Sequence, residues 1–554
     1  MRENEMLTGF DPEAIQDLEG ARTAIRALLN LVEELQAENQ ALRKEVAELR
    51  DEVNRLKGEQ GRPEIKPNKK KEQSTDHSSE KERRRPKSWR KGPKNDQIRI
   101  DRDERLDVDK SLLPADAEFK GYVENIVQDL RIRTDNVRFV KEKYYSPSER
   151  QVYLAPLPAG YDGQFGPGIR ALVVTLYYAG GMTEPKILEF LSQFGVSISV
   201  GQLSNLLVKE QEPWHAEKDA VWRAGLESSA WQHMDDTATR VDGENQHCHI
   251  LCNPYYTAYF TRPGKDRLTL IHLLQGTETL QLLLTPETTG WLDLFQTPVW
   301  AQRQVGGWPQ NQWLEPDQFM SWVEIELAAR LNEQQQARIV EAAALTAYHA
   351  QTEIPVIPIL LTDDAPQFGH ITRQRALCWI HEGRHYKKLT PFVPHHQRLL
   401  ADFRDKFWAY YRQLQDYQVA PTPTMADQLR AHFDALFSTQ TGYDQLDKRI
   451  AKTLAKREQL LLVLDSPFLP LHNNPAELGV RQRVRKRDIS FGPRSPDGVA
   501  AWDTFMTLTE TAKKLGVSFY AYVFDRISQA HRLTSLAELI HLHARDSLQE
   551  PVPI

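Results

Sequence analysis

The chain has 554 residues, with 70 Lys and Arg against 76 Asp and Glu, a net charge of −6, and a 40% hydrophobic share. That length predicts several domains, and the composition is that of a soluble globular protein. Three cysteines (Cys248, Cys252, Cys378), no apolar run of about eighteen residues and no apolar core in MRENEMLTGFDPE exclude a disulfide framework, a membrane span and a signal peptide, so a cytoplasmic protein is expected.

Residues 16–58 are read as a coiled coil. Ile25, Val32, Asn39, Val46 and Val53 fall at heptad position a, and Leu28, Leu35, Leu42, Leu49 and Leu56 at d. β-branched a with Leu at d favours two parallel strands, one Asn at a fixes register, and Glu38, Glu45 and Glu52 at g face Arg43, Arg50 and Lys57 at e of a partner. A homodimer is therefore expected. Residues 59–97 form a basic linker: from Arg62 to Lys94 there are thirteen Lys/Arg against five Asp/Glu, so the rest of the chain sums to −14. Such an arm, with Lys69, Lys70, Lys71, Arg83, Arg84 and Arg85, grips phosphates without reading sequence or simply stays solvated.

Residues 98–160 hold strand-like pieces at Asn136–Lys143 and Gln151–Leu157 around the turn signal SPSE. Residues 161–225 read as helices near Gly168–Tyr178, Glu184–Gln193 and Val200–Lys209. The last two, with a Gly195 turn between them, have helix-turn-helix spacing. A plain helical hairpin has the same spacing; Gln202 and Asn205 are the candidate DNA-facing residues, on a helix with little positive charge.

From Ser229 the period changes to strands: Ser229–Arg240, His247–Asn253 and Tyr255–Arg262, then a helix at Arg267–Gln275 and a strand at Pro355–Leu361. Strand, strand, strand, helix, strand is the order of a ribonuclease-H-like core, assigned to 226–275 and 354–500, with 276–353 as an insertion and 501–554 as a C-terminal helical region. Trp291, Trp300, Trp308 and Trp313 of the insertion are read as core in preference to stacking on DNA.

Three acids sit at element ends: Asp235 in HMDDT, Asp363 in TDDAP and Glu477 in NNPAELGVR, where Asn474 reads as N-cap. Each has a structural alternative, since Asp236 and Asp364 double the aspartates and a first-turn glutamate suits any helix. Converging carboxylates suit hard divalent cations, and phosphoryl transfer needs charge neutralised at attacking and leaving oxygens. Arg481, Arg483, Arg485, Lys486 and Arg487 follow Glu477 and offer charge to a polyanion.

Together HMDDTATRVDG, LLTDDAPQF with CWIHEGRHYKK, and HNNPAELGVRQRVRKRDISFGPRS resemble the insertion-sequence-66 family of bacterial transposases. The resemblance covers about 160–535. It implies a multidomain α/β enzyme of the DDE class with a ribonuclease-H-like catalytic core, cutting transposon ends and joining them to target DNA. By resemblance Asp235, Asp363 and Glu477 hold Mg²⁺ (Mn²⁺ substituting), the protein works beside the bacterial nucleoid, and accessory proteins of the same element are possible partners. The family's C-x-x-H element matches Cys378 and His381, with Arg384 beyond; with only two ligands visible, packing beside the acids is favoured over zinc. Two features depart from the family: no cysteine precedes Cys248, where many relatives carry a zinc ribbon, and Leu478 stands where arginine often follows the glutamate. The alternative is a catalytically inactive dimeric DNA-binding regulator of a mobile element.

Overall fold

The computed structural model describes residues 15, 17–57, 98–114, 116–130 and 132–549. The basic residues Lys69 to Lys71 and Arg83 to Arg85 lie outside them. The heptad region is one helix, α1 (Leu18–Leu56). Its a and d side chains are exposed, while its opposite face meets the body of the chain through Asn30 and Glu33. After a 3₁₀ turn at Lys110–Leu112 comes a hairpin of β1 (Lys143–Ser146) and β2 (Gln151–Leu154), with Ser146 paired to Gln151. The strand expected at Asn136–Lys143 is thus displaced toward the turn, because only residues flanking that turn find cross-strand partners.

Next come α2 (Pro167–Val174), extended by a wider turn through Ala179, then α3 (Glu184–Ser192), α4 (Val200–Val208) and α5 (Glu212–Glu227). The α3–α4 turn passes Gly195 at φ +73°, a conformation glycine adopts without strain. Ser199 caps α4 by accepting the Gln202 amide, and Leu203 and Leu207 bury its inner face.

The central sheet begins as an antiparallel meander of β3 (Trp231–Val241), β4 (Glu244–Cys252) and β5 (Thr257–Arg262), followed by α6 (Arg267–Gln275). The insertion contains the β6 (Leu282–Leu283) and β7 (Trp313–Leu314) pair with α7 (Thr288–Leu294), α8 (Val299–Gly306), α9 (Pro316–Trp322) and α10 (Glu333–Ala350). Trp308 is core as expected, but Trp313 is exposed. Then β8 (Ile359–Thr362) returns parallel to β3, and a strand the sequence did not reveal, β9 (Gln374–Leu377), adds parallel to β8. The sheet order is β5-β4-β3-β8-β9. Alternation in β8 separates two cores: Leu360 joins one, while Ile359 and Leu361 join the other.

The second core belongs to a helical lobe of α11 (Trp379–Lys387), α12 (Pro394–Val419), α13 (Pro423–Phe437), α14 (Asp444–Leu454) and α15 (Arg457–Leu460). The chain then returns to the first core with α16 (Asn474–Ser490), α17 (Pro496–Lys514), α18 (Phe519–Ile527) and α19 (Leu536–Gln549). The boundary drawn at 500/501 falls inside α17.

Helix α17 lies along the outer edge of β5. Thr511 and Thr507 hydroxyls accept the Thr257 and Tyr259 amides, and the Asp503 carboxylate accepts the Thr261 amide and hydroxyl. Four helical residues rise about 6.0 Å and two strand residues about 6.6 Å, so the two ladders match. The edge strand's free donors are satisfied without another strand.

Candidate active site

Asp235 lies mid-way along β3, opposite Ile250 of β4, and Asp363 is the first residue after β8, the strand beside β3. Glu477 sits in the first turn of α16, which packs over β3 and β4. Gly479 permits that packing: a Cβ there would meet Ile250 Cγ2 at 2.8 Å, and the Tyr259 hydroxyl donates to the Gly479 carbonyl. Small size at 479 therefore brings Glu477 down beside the strand that carries Asp235.

The link between these pieces is Asn473, which sequence reasoning passed over. It is fully buried and is the N-cap of α16, one residue earlier than the Asn474 expected. Its side chain does not cap the helix. It donates to the Met234 carbonyl at 2.9 Å and accepts from His233 Nδ1 at 2.9 Å, while its amide donates to Cys378 Sγ at 3.2 Å. Burial holds His233 neutral, its pKa pressed to about 3. One residue, through its side chain and its backbone N–H, thus ties β3, the start of α11 and the start of α16. The repeated Asn in HNNP was the available signal, but two adjacent asparagines before proline read alike as caps.

Burial, then the nearby carboxylates of Asp363, Glu477 and Asp236, push Asp235 up to about 7 against the bond from the Asp236 amide. Asp363 accepts the Ala365 amide at 3.0 Å in an Asx turn. Its neighbour Asp364 differs: burial would raise it, but Lys456 and then His385 outweigh burial and hold it at about 2. Lys456 also bonds to the buried Glu382, which Arg449 and Thr453 bind as well. Asp236 meets Gln367 at 3.5 Å.

Glu477 is held by Arg384, whose Nη2 donates to Oε2 at 2.8 Å, while Arg384 Nη1 lies 3.0 Å from His381 Nε2. Glu477 Oε1 is buried with no hydrogen-bond partner, 3.6 Å from His381 Nδ1. Cys378, His381 and Glu477 have ligand atoms within 4.8 Å of one another, and so do Asp364, Glu382 and His385. Burial pushes the Cys378 thiol up to about 12, and its Sγ accepts the Asn473 backbone N–H. Among the described residues Asp235, Asp363 and Glu477 do not form such a group; Asp363 and Glu477 act on Asp235 as neighbouring negative charges, and carboxylate oxygens are the donors that hard divalent cations favour.

The basic run divides. Arg485 is exposed, and Arg481 and Arg487 are half-buried, Arg487 donating to the Ala238 carbonyl. Arg483 and Lys486, expected to face DNA, point into the protein instead. Arg483 is 1% exposed and paired to Asp503 at 3.3 Å, and Lys486 donates to the Tyr177 carbonyl with burial pressing it to about 7. The helix period decides this: 483 and 486 share the face of α16 turned to the core. On α4, Asn205 is exposed and Gln202 Nε2 donates to Gln164 Oε1.

The family model described as the transposase IS66 family matches residues 162–283 and 345–501, passing over most of the insertion. The uncharacterized protein y4jO of Sinorhizobium fredii (strain NBRC 101917 / NGR234) is 31% identical over 321 residues, spanning 57% of this chain and 98% of its own length.

Proposed function

The chain belongs to the transposase IS66 family, and from that premise we propose that it cuts DNA at the ends of a mobile element and joins them to a target. The observation that carries this reading is Asp235, a half-buried carboxylate on the central strand on which Asp363, Glu477 and Asp236 act as neighbouring negative charges, with Arg384 as a cation beside them. The sheet order, with an antiparallel meander followed by two parallel strands, supports a ribonuclease-H-like core.

Asp235, Asp363 and Glu477 would hold Mg²⁺, or Mn²⁺ in its place, and the metal when bound supplies charge neutralisation at the attacking and leaving oxygens of an in-line displacement at phosphorus. Asp363, in preference to Asp364, is the ligand because Lys456 neutralises Asp364. Asn473 is a positioning residue that fixes the backbone beside Asp235 to the start of the Glu477 helix. Arg384, whose side chain is 43% exposed, keeps Glu477 paired; a DNA phosphate competes for that guanidinium. Arg485, with Arg481 and Arg487, and the basic arm contact phosphates, and Asn205 with Gln202 on α4 faces DNA as part of a helix-turn-helix. The exposed a/d stripe of α1 pairs two chains in parallel so that both element ends are held together. Among the described residues no helix is long and apolar enough to cross a membrane.

One observation favours the silent DNA-binding alternative: Glu477 is engaged by Arg384 and grouped with Cys378 and His381. Mg²⁺- or Mn²⁺-dependent nicking and strand transfer on DNA bearing the element's own ends separates the two. We expect activity that is lost in Asp235→Ala while DNA binding is kept. Full activity in that variant overturns the site assignment, and a wild-type chain that binds the ends without nicking them supports the regulator.

A further inference from the structure

Residues Arg26 to Glu33 of α1 face two ways. Leu28, Val32 and Leu35 are exposed on the a/d side. On the outer side, at heptad positions b and f, Arg26, Asn30 and Glu33 meet the helical lobe. Glu33 is only 2% exposed. Its carboxylate accepts the amides of Phe392 at 2.5 Å and Val393 at 2.9 Å and lies 3.1 Å from His396 Nδ1. Helix α12 has Val393 as its N-cap and no side-chain cap of its own, so an acid 360 residues away supplies the anion its N-terminus favours. Asn30 serves α14 in the same way: its Nδ2 donates to the Gly442 carbonyl and Asp444 Oδ1 at 3.1 Å each, and its Oδ1 accepts the Asp444 amide at 3.2 Å. That helix also lacks a cap side chain, its N-cap being Tyr443. His396 stacks on Tyr443 at 4.3 Å, joining the two caps. One turn earlier Arg26 lies against Gly442, which holds φ +85°.

The same α14 reaches the candidate active site at its other end. Arg449 and Thr453 bind Glu382, and Lys456, just past the helix, binds Glu382 and Asp364, the neighbour of Asp363. A small rotation of α1 would leave Glu33 buried without its donors, a costly state, so the joint admits one register.

We propose that Asn30 and Glu33 lock the dimerisation helix to the α12–α14 lobe as a rigid strut, so that pairing two copies through the a/d stripe sets the spacing and orientation of their two catalytic centres. This rests on the dimeric transposase reading above. The test uses the full chain carrying Glu33→Ala with Asn30→Ala, and separately Glu33→Gln, which keeps shape and one acceptor. Hydrogen exchange at Phe392 and Val393 should rise about tenfold or more in the double variant and less in Glu33→Gln. The mass by light scattering should remain dimeric, nicking of DNA bearing a single end should persist, and concerted joining of two ends should fall about tenfold or more. Unchanged exchange overturns the joint. Wild-type concerted joining with the amides exposed overturns its role, and so does an equal fall in nicking and joining, which marks a merely structural defect. A wild-type chain that never nicks sinks the transposase reading instead, and the exchange measurement still reads the joint.

Discussion

Asp235 is costly where it stands. Its carboxyl is raised from 3.8 to about 7, chiefly by burial and then by the neighbouring acids. A carboxyl raised on folding contributes stability in full below its unfolded pKa, and that contribution is lost as pH climbs through the folded value. Between about pH 4 and pH 7 the metal-free protein therefore loses up to about 4 kcal/mol at this residue. Asp235→Asn should remove the penalty, raising the metal-free melting temperature by a few degrees at neutral pH while abolishing cleavage. A lower melting temperature in calorimetry would count against the burial argument. Arg483 and Arg485 make a second contrast. Arg483→Met removes the ion-pair partner of the buried Asp503, a loss of about 3–5 kcal/mol in denaturant titration. Arg485→Ala should leave stability unchanged and lower the salt dependence of DNA binding by about one ion. Equal stability for both variants would contradict the burial of Arg483.

At the scale of elements, the helix along the sheet edge is the part least visible in the sequence. Thr507→Val keeps the shape of the side chain but leaves the Tyr259 amide of β5 without an acceptor, and it should cost about 1–3 kcal/mol with faster exchange at that amide. An unaltered exchange rate would show that the hydroxyl is not the partner. The strands β3, β4, β5 and β8, and the helices α3, α4 and α6, were legible because each carries its own period and its own stops. β9 was not: four residues beginning with Gln374 and Arg375 carry too little alternation, and only pairing with β8 makes them a strand. The start of α16 was displaced by one residue because Asn473 was needed elsewhere, between Met234, His233 and Cys378.

For the whole molecule, α1 is the decisive element, since it bears both the pairing stripe and the joint to the lobe. Leu28→Lys with Leu35→Lys should give a monomer by light scattering with an unchanged body, because both side chains are exposed in the single chain. Concerted joining of two ends should be lost while DNA binding persists more weakly. A dimer that survives these changes would place the interface elsewhere. By itself the sequence determined the long helix and its heptads, the order of strands from β3 to β8, and the three acids, of which Asp363 and Glu477 lie at element ends while Asp235, expected at one, stands mid-way along β3; these are written in spacings of a few residues. The tertiary structure alone decided which acid acquires a cation, as Lys456 stands 92 residues from Asp364. It also decided which arginines turn inward, and that Glu33 caps a helix 360 residues away. Burial and pairing depend on neighbours that the chain brings together only by folding.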